Sequence, residues 1–516
     1  MSTQLNRSGH VVDLGSGVGV STPGLDGEAG LVDADRDSGW GDASGRGLDP
    51  AWAAAFQGLR QADLQQQLSV RLDLAVPESQ TRRRSRELSA PVTLDLPAPP
   101  AGQGQVLLHR ADDGLVSWHF PQPGERGGRH PLSQNTYRLD RKLLLGGPAG
   151  AAQGPAVTRD DADVRGDDPD DRGLAALVAR NLLTAFVFPL IDPILGRISN
   201  GFAKRWEVRN RPEGLRRITG QGIPGRGSAT MSAAECADLA TGPVLLLVHG
   251  TFSTARSAYS ALPVATRAEL IRRYRGRVIA FDHPSVSARL SENVAGLRRL
   301  LDEAAVTGPL TVDVVSHSRG GLVGRALAER AAQYGLAGRL TVRNLVMVAA
   351  PNAGTVLADP RRLTGLVDRV TNLAMLLPGT GIADVVSVIA VVVKQLSVGA
   401  FGGLEGIAAM DPQGDPLKQF NNSPGSSASY SVICSDFEPA DGSPLARLTR
   451  DRATDRLFGE TANDLVVPTL GSYEVPGSMC FPVSERVVIP STAGVDHSSY
   501  FASPVVSQAL LRWLPG

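Results

Sequence analysis

A serine in a short turn is the residue of this sequence best placed to do covalent chemistry. An apolar stretch at 312–315 runs into the turn S-H-S-R-G, which has G-x-S-x-G spacing with Ser316 in place of the first glycine. Such a turn carries its serine at a tight strand-to-helix apex, where bulky neighbours do not fit. The hydroxyl of Ser318 would project from the backbone, and the amide of Arg319 would point towards a developing oxyanion. The pattern predicts a nucleophilic serine, although an ordinary strand-turn-helix can carry the same residues by chance.

Length and charge restrict the class of protein further. The 516 residues have a formal net charge of zero, and they suffice for two or more domains. No dense run of basic residues is present, which argues against a nucleic-acid partner. The apolar stretches at 182–191 and 385–393 fall short of the ~20 residues that span a bilayer. We therefore predict no transmembrane segment and leave contact with a membrane surface open.

The cysteines and the first residues bear on location. Cys236, Cys434 and Cys480 are odd in number and lack C-x-x-C spacing, which disfavours both a disulfide framework and a zinc site. Polar residues and glycines stand where a secretory signal has its apolar segment. We predict reduced cysteines and a cytoplasmic location.

Residues 1–59 are predicted to form a flexible leader rich in glycine and aspartate. The segment 11–19 resembles the glycine loop of S-adenosylmethionine-dependent methyltransferases. That loop should open a helix, but the residues that follow here include Pro23 and two glycines, which do not form one. We therefore predict no nucleotide site in the leader and no cofactor for the chain.

Residues 60–148 are predicted to form a β-rich accessory domain. Apolar residues alternate with polar ones at 68–74 and 92–96, and an Asp-Gly step separates two further strand-like runs. His109, His119 and His130 are scattered over this region, and we assign no chemistry to them.

Two segments connect this region to the rest of the chain. Residues 149–173 are rich in Asp, Gly, Pro and Ala, a composition that predicts a solvated acidic linker. Residues 174–239 are predicted to be a helical connecting segment, beginning with a helix at 174–195 that prolines interrupt.

Residues 240–516 alternate between strand and helix patterns. The run at 244–248 is apolar throughout, as in the middle of a parallel sheet. Helical and strand-like segments then follow each other as far as a strand at 345–350. Such a βαβ series predicts the α/β class, with a mostly parallel sheet flanked by helices.

Three further segments carry a resemblance to a known family. His-Gly at 249–250 ends the first buried strand, A-P-N-A-G-T at 350–355 follows a later strand, and N-D-L-V-V-P begins at 463. Together with the turn around Ser318, these segments resemble bacterial lipases and esterases of the α/β-hydrolase superfamily. The resemblance covers about 240–516.

The resemblance implies an α/β-hydrolase fold with a helical cap or lid insertion at about 356–420, beside the β-rich accessory domain. The His-Gly motif of the family implies that the amide of Thr251 is an oxyanion donor alongside that of Arg319. Ser316 departs from the family's first glycine without removing a catalytic group.

The resemblance also implies the partners of the serine, since the order in this fold is Ser, then Asp or Glu, then His. His497 is the only histidine after Ser318 in the sequence, so it is the predicted base. In lipases an N-D-G-L-V-P segment carries the acid, which points to Asp464 here. In the closest alignment of the two segments, Val466 stands where no insertion is expected. Asp436 is a rival acid, because it follows a predicted strand almost at once.

The insertion at 356–420 is apolar and permits two interpretations. A lid would line an acyl pocket, with Val388 and Val392 and the loop residue Phe252 as predicted substrate contacts. Alternatively, the same residues belong to helices that pack on the core.

We therefore predict a serine hydrolase of carboxylic esters that needs no cofactor or metal and forms an acyl-enzyme. Its substrate would be a small ester with an acyl or lipid-like group. A thioesterase or an acyltransferase on the same fold is an alternative, because each forms the same intermediate. A binding module with a degenerate hydrolase fold is another. The sequence does not predict the oligomeric state.

Overall fold

The computed structural model describes residues 2–32, 49–75, 90–122, 134–145, 178–190, 201–225, 230–306, 308–376, 381–399, 402–422, 425–439, 443, 461–476, 481 and 483–516. Within these ranges the chain forms two antiparallel sheets in its N-terminal half and one mostly parallel sheet in its C-terminal half. No helix in the same ranges has the length and apolar character needed to cross a bilayer.

The N-terminal half is a sandwich of two antiparallel sheets. Its strands are β1 (Thr3–Gln4), β2 (Val12–Gly15), β3 (Val18–Ser21), β4 (Gly27–Val32), β5 (Gln65–Ala75), β6 (Val92–Pro97), β7 (Gln103–Ala111), β8 (Val116–His119), β9 (Gln134–Leu139) and β10 (Val178–Pro189). One sheet has the order β1-β4-β5-β10-β7-β8, and the other has the order β2-β3-β6-β9. Alternate residues of β5 and β6, such as Leu72 and Leu94, are fully buried between the sheets. The strands predicted from period-two alternation are thereby confirmed.

The prediction of a flexible leader at 1–59 is wrong for the residues that the structure describes. β1 to β4 belong to the sheets, and Pro50–Gln61 forms helix α1. The glycine-rich segment is the β2–β3 hairpin turn, in which Gly15, Ser16 and Gly17 all have positive φ. Composition misled here because β4 pairs with β5, some forty residues later in the chain, so the stabilising partner is not local.

The helix predicted at 174–195 is also wrong, since residues 178–189 form strand β10. β10 lies between β5 and β7 and is hydrogen-bonded to both. A central strand covered on both faces is mostly apolar, and periodicity cannot distinguish it from a buried helix. The predicted acidic linker at 149–173 lies outside the described residues, as do His130 and Cys480.

The C-terminal half is built on a seven-stranded sheet, counted over the described residues. Its strands are β11 (Gly214–Arg217), β12 (Val244–Val248), β13 (Val278–Asp282), β14 (Leu310–His317), β15 (Leu340–Val348), β16 (Ser429–Ser435) and β17 (Val483–Ile489). Their order is β11-β13-β12-β14-β15-β16-β17, and all pairs are parallel except that of β11 with β13. β11 falls in the connecting segment predicted to be helical, so the sheet begins earlier than the sequence suggested.

Helices cover both faces of this sheet and its carboxyl edge. They are α3 (Phe202–Asn210), α4 (Ala233–Ala237), α5 (Ala255–Tyr259), α6 (Val264–Arg273), α7 (Leu290–Glu303), α8 (Gly320–Arg330), α9 (Leu363–Leu376), α10 (Ile382–Ser397), α11 (Glu405–Ala408), α12 (Asp415–Asn421) and α13 (Pro504–Trp513). Helix α2 (Arg141–Leu145), like α1, belongs to the N-terminal half. Helices α9 to α12 occupy the predicted insertion at 356–420. This architecture is an α/β-hydrolase fold with a helical cap, as predicted.

The cap lies between the two halves of the molecule. α10 packs against α1 and α9, and α9 packs against strand β8. Trp52 of α1 and Phe186 of β10 share one continuous hydrophobic core with Val388 of α10 and Val314 of β14. The N-terminal sandwich therefore packs on the outer side of the cap.

Candidate active site

The turn between β14 and α8 holds Ser318 in a strained conformation. Ser318 has φ 53°, which is uncommon for a residue with a Cβ atom. A Cβ atom on Gly320 would lie 2.4 Å from the carbonyl oxygen of Val248, so this position accepts only glycine. Ser316 fits in place of the family's glycine because it is small and its hydroxyl donates to Val346 O at 3.2 Å. The local sequence thus forces the serine to the apex of the turn.

The side chains of Ser318, His497 and Asp464 form a continuous hydrogen-bonded relay. Nδ1 of His497 lies 2.9 Å from Oδ2 of Asp464, and Nε2 lies 3.0 Å from Oγ of Ser318. Because a carboxylate only accepts, Nδ1 carries the proton and Nε2 is left to accept from the serine hydroxyl. This arrangement can take a proton from Ser318 as its oxygen attacks an electrophile.

The carboxylate of Asp464 is buried and fully hydrogen-bonded. Oδ1 accepts the backbone N–H groups of Val466 at 3.1 Å and Val467 at 2.7 Å, and Oδ2 also accepts the hydroxyl of Tyr500 at 3.0 Å. Burial by itself would raise the pKa of Asp464, but His497 and the two backbone N–H donors hold the pKa below its ordinary value. The acid is therefore ionised and ready to orient the imidazole.

Asp436, the rival acid, is not brought to the histidine. Its backbone N–H donates to Ile489 O at 2.9 Å, which places it at the end of β16 beside β17. Both Asp436 and His497 lie in the described part of the chain, and no hydrogen bond joins their side chains. Of the two predicted acids, Asp464 alone contacts the imidazole.

The loop after β12 lies directly against Ser318. A Cβ atom on Gly250 would stand 2.6 Å from the Cβ of Ser318, so only glycine allows this approach. Phe252 has φ 60° and is buried, which turns the backbone sharply after Thr251. Within the described residues, the amides of Thr251 and Arg319 have no hydrogen-bond acceptor. Two N–H groups next to Ser318 are thus available to a ligand.

Two buried histidines support that loop and take no part in the relay. The rings of His249 and His283 stack at a centroid distance of 4.3 Å, and the His283 amide donates to Nε2 of His249 at 3.2 Å. Burial lowers the pKa of His249 to about 3, and burial also holds the pKa of His283 well below its ordinary value. Both are neutral at physiological pH and act as packing groups behind the loop.

Sequence reasoning missed two side chains that hold the relay in place. Nε2 of His317 lies 3.0 Å from the carbonyl oxygen of His497, and burial lowers the pKa of His317 to about 3. A neutral imidazole must therefore donate to that carbonyl. Tyr500 donates to Asp464 and contacts the hydroxyl of Ser435 at 2.8 Å. Its position three residues after His497 was a usable signal, because one short loop can carry both groups.

Two arginines connect the Ser318 turn and the loop after β12 to the cap by hydrogen bonds. The guanidinium of Arg319 donates to Gly406 O at 2.7 Å and to Asn293 Oδ1 at 2.9 Å, and its burial lowers its pKa to about 10. Arg211 donates to Ser253 O at 2.7 Å in the loop after β12 and to Asp384 O at 2.6 Å in α10. The cap is thus bonded to the nucleophile turn and to the loop after β12.

The predicted substrate contacts in the cap are buried residues. Val388 and Val392 lie on α10 with 1% and 0% of their surface exposed. They belong to the core that the cap shares with both halves. This burial agrees with the packing interpretation of the insertion, and the acyl-pocket role of these residues and of Phe252 stays a prediction.

A family model and several solved structures are similar to part of this chain. A family model described as "Domain of unknown function (DUF7379)" matches residues 210–515. The mature lipase BlEst2 of Bacillus licheniformis is 18% identical over 52% of this chain and 91% of its own, with a TM-score of 0.33. Lipase 1 of Pelosinus fermentans is 12% identical over 51% of this chain and 94% of its own, with a TM-score of 0.35. The Vlm2 thioesterase domain is 16% identical over 59% of this chain and 99% of its own, with a TM-score of 0.27.

No curated protein matches the sequence. The family description states no activity, so the chemistry of the site has to carry the functional conclusion.

Proposed function

We propose a hydrolytic function for this chain, which belongs to the family described as Domain of unknown function (DUF7379). It hydrolyses carboxylic esters through an acyl-enzyme on Ser318. The observation that carries the proposal is the pair of contacts made by one imidazole, 3.0 Å to Ser318 Oγ and 2.9 Å to Asp464 Oδ2. An imidazole bonded to a strained serine on one side and to a buried carboxylate on the other is the arrangement that activates a serine nucleophile.

In the first half-reaction, Oγ of Ser318 attacks the ester carbonyl while Nε2 of His497 takes the hydroxyl proton. The negative charge that develops on the carbonyl oxygen is stabilised by the free amides of Thr251 and Arg319. The tetrahedral intermediate collapses when His497 gives its proton to the leaving alcohol. Asp464 stays ionised throughout and stabilises the imidazolium.

In the second half-reaction, water takes the place of the alcohol. His497 removes a proton from the water, whose oxygen attacks the acyl carbon, and the same two amides again stabilise the oxyanion. Ser318 leaves with the proton from His497, and the carboxylic acid is released. No cofactor or metal enters this scheme.

The substrate is proposed to be a small ester, and contact of its acyl group with Phe252, Val388 and Val392 stays a prediction because all three side chains are buried. The cap is joined to the catalytic loops by several buried hydrogen bonds, including that of Arg319 with Gly406 O at 2.7 Å. A cap fixed in this way favours single ester molecules over lipid aggregates, because entry of an aggregate would need the cap to swing away.

The proposal is tested with a series of p-nitrophenyl esters from acetate to octanoate. Wild-type protein should release a burst of nitrophenol equal to the enzyme concentration and then turn over, and Ser318→Ala should do neither. Addition of a competing alcohol separates hydrolysis from acyl transfer, because a transferase would give mostly the new ester. The absence of turnover for every oxygen ester, with turnover of a thioester, would replace the proposal by a thioesterase.

A further inference from the structure

A peptide unit that donates a hydrogen bond to the catalytic acid accepts another hydrogen bond at its carbonyl oxygen. The unit between Leu465 and Val466 presents its N–H to Oδ1 of Asp464 at 3.1 Å. Its carbonyl oxygen accepts Nη1 of Arg369, on cap helix α9, at 2.7 Å. A peptide unit is planar, so fixing the carbonyl fixes the direction of the N–H. Arg369 therefore controls a donor to the acid without touching the acid.

The neighbouring peptide unit is held in the same way. Its N–H, from Val467, donates to Oδ1 of Asp464 at 2.7 Å, and its carbonyl, from Val466, accepts the hydroxyl of Thr355 at 2.6 Å. Both donors to the acid are thus fixed at their carbonyl ends. Arg369 differs from Thr355 in that it comes from the cap and brings a positive charge.

The conformation of the acid loop needs such support. Leu465 has φ 81°, and a left-handed conformation costs free energy for a residue with a branched side chain. Such a residue keeps this conformation only when its surroundings determine it. Arg369 is 5% exposed, and the hydrogen bond from its buried guanidinium to the Leu465 carbonyl stabilises the left-handed conformation of Leu465.

Helix α9 is in turn fixed by the N-terminal sandwich. Asn372 accepts the N–H of Val116 at 2.8 Å and donates to the carbonyl of the same residue at 2.8 Å, as a neighbouring strand would. Asp368 accepts the N–H of Trp118 at 2.7 Å, and the indole of Trp118 donates to Thr371 at 3.2 Å. Strand β8, at the edge of its sheet, is thus paired with the side chains of α9.

We propose that Arg369 is a positioning residue for the catalytic acid, and that the N-terminal sandwich keeps Arg369 in place by holding α9. This inference rests on the proposed function of Asp464 as the acid. It assigns to the N-terminal half a part in catalysis that requires no ligand of its own.

The first test compares Arg369→Met with Arg369→Lys. The methionine variant loses the donor to the Leu465 carbonyl, and we expect kcat to fall about 100-fold with KM little changed, because small misplacements of catalytic groups have effects of that size. Lysine can donate to the same carbonyl, so it should recover a large part of that loss. Arg362→Met is the matched control, since Arg362 is an exposed arginine just before α9 and should leave kcat unchanged.

A spectroscopic measurement separates positioning from general destabilisation. In the wild-type protein, the proton between Nδ1 of His497 and Asp464 should give a downfield NMR signal. That signal should shift or vanish in folded Arg369→Met and return in Arg369→Lys. An unchanged signal with unchanged kcat in folded Arg369→Met would overturn the proposal.

The second test acts at the far side of α9. Asn372→Ala removes both bonds to Val116 and lies away from every catalytic loop. If the sandwich holds Arg369 in place, this variant should lower kcat about tenfold, an effect typical of residues one contact away from catalytic groups. It should also perturb the same proton signal. Loss of thermal stability with normal kcat at 25 °C would overturn the role of the sandwich.

Failure of this inference is distinguishable from failure of the proposed function. If wild-type protein shows no ester turnover and no burst, the proposed function fails. If wild-type protein is active and Arg369→Met matches Arg362→Met, only the role of Arg369 fails.

Discussion

The two halves of the molecule both bury histidines, and they use them differently. In the N-terminal sandwich, His109 lies 2.8 Å from Asn181 Oδ1 and 3.2 Å from Ser117 Oγ, and burial lowers its pKa to about 4. In the C-terminal half, His497 joins a strained serine to an ionised carboxylate. A buried, well-bonded histidine is therefore no sign of chemistry. A reactive site also needs a nucleophile and an acid on opposite sides of the ring.

The seven-stranded C-terminal sheet and the six-stranded N-terminal sheet also differ in what lies at their margins. The parallel sheet carries its reactive groups on turns at the carboxyl ends of its strands, among them Ser318 after β14. The six-stranded N-terminal sheet instead ends at β8. The backbone N–H groups on the outer edge of β8 donate to the side chains of Asn372 and Asp368 in the cap. One sheet carries the proposed catalytic residues, and the other is bonded to helix α9 of the cap.

The largest expected effect concerns the acid of the catalytic half. Asp464→Asn should lower kcat about 10⁴-fold with little change in stability, because the amide favours the wrong histidine tautomer. Asp436→Asn is the matched control and should lose far less, since its side chain has no bond to His497. Steady-state kinetics with a small ester measures both variants. The reverse ranking would remove Asp464 from the mechanism.

The next effect compares a histidine from each half. His497→Ala should lower kcat about 10³-fold or more, and it should also lower the free energy of unfolding by about 1–3 kcal/mol because the buried carboxylate of Asp464 loses a partner. His109→Ala should leave kcat close to wild type and lower the free energy of unfolding by about 1–3 kcal/mol, because Asn181 loses a buried partner. Denaturant titration and steady-state kinetics on both variants test the contrast. A loss of activity in folded His109→Ala would show that the comparison is wrong.

The sequence predicted most where the pattern was local. Ser318 and its turn could be recognised from five adjacent residues, and His497 followed from its position after the nucleophile. The sequence could not reveal Arg369, because it lies 96 residues from the carbonyl it bonds and nothing in α9 marks it. Strand β10 was missed because a run buried on both faces has no period, and its identity depends on two strands far away in the chain.

A smaller effect concerns the cap between the two halves. If Val388 lines an acyl pocket, Val388→Ala should lower kcat/KM for the octanoate ester roughly tenfold relative to the acetate ester. If Val388 only joins the cap to the core, the loss should be uniform across chain lengths and follow the loss of stability. Specificity constants over the ester series distinguish the two, with Val264→Ala, an exposed valine on α6, as the control.

The smallest effect is one of pH and also arises at the cap. Burial raises the pKa of Asp368 from 3.8 to about 8, although the N–H of Trp118 opposes the shift. The protonated carboxyl therefore stabilises the fold fully below about pH 4, and this contribution is lost as pH rises to about 8. Asp368→Asn keeps an acceptor for Trp118 and cannot ionise, so its stability relative to wild type should increase between pH 5 and pH 9. Denaturant titrations at both values check this, and a constant difference would contradict the assignment.

The most direct test of the central claim is to map the residue that reacts with a fluorophosphonate. Such a probe phosphonylates a serine that a neighbouring histidine activates. After digestion, mass spectrometry should find the adduct on Ser318 in the wild-type protein and no adduct in Ser318→Ala. An adduct on another residue, or labelling that survives in Ser318→Ala, would contradict the account.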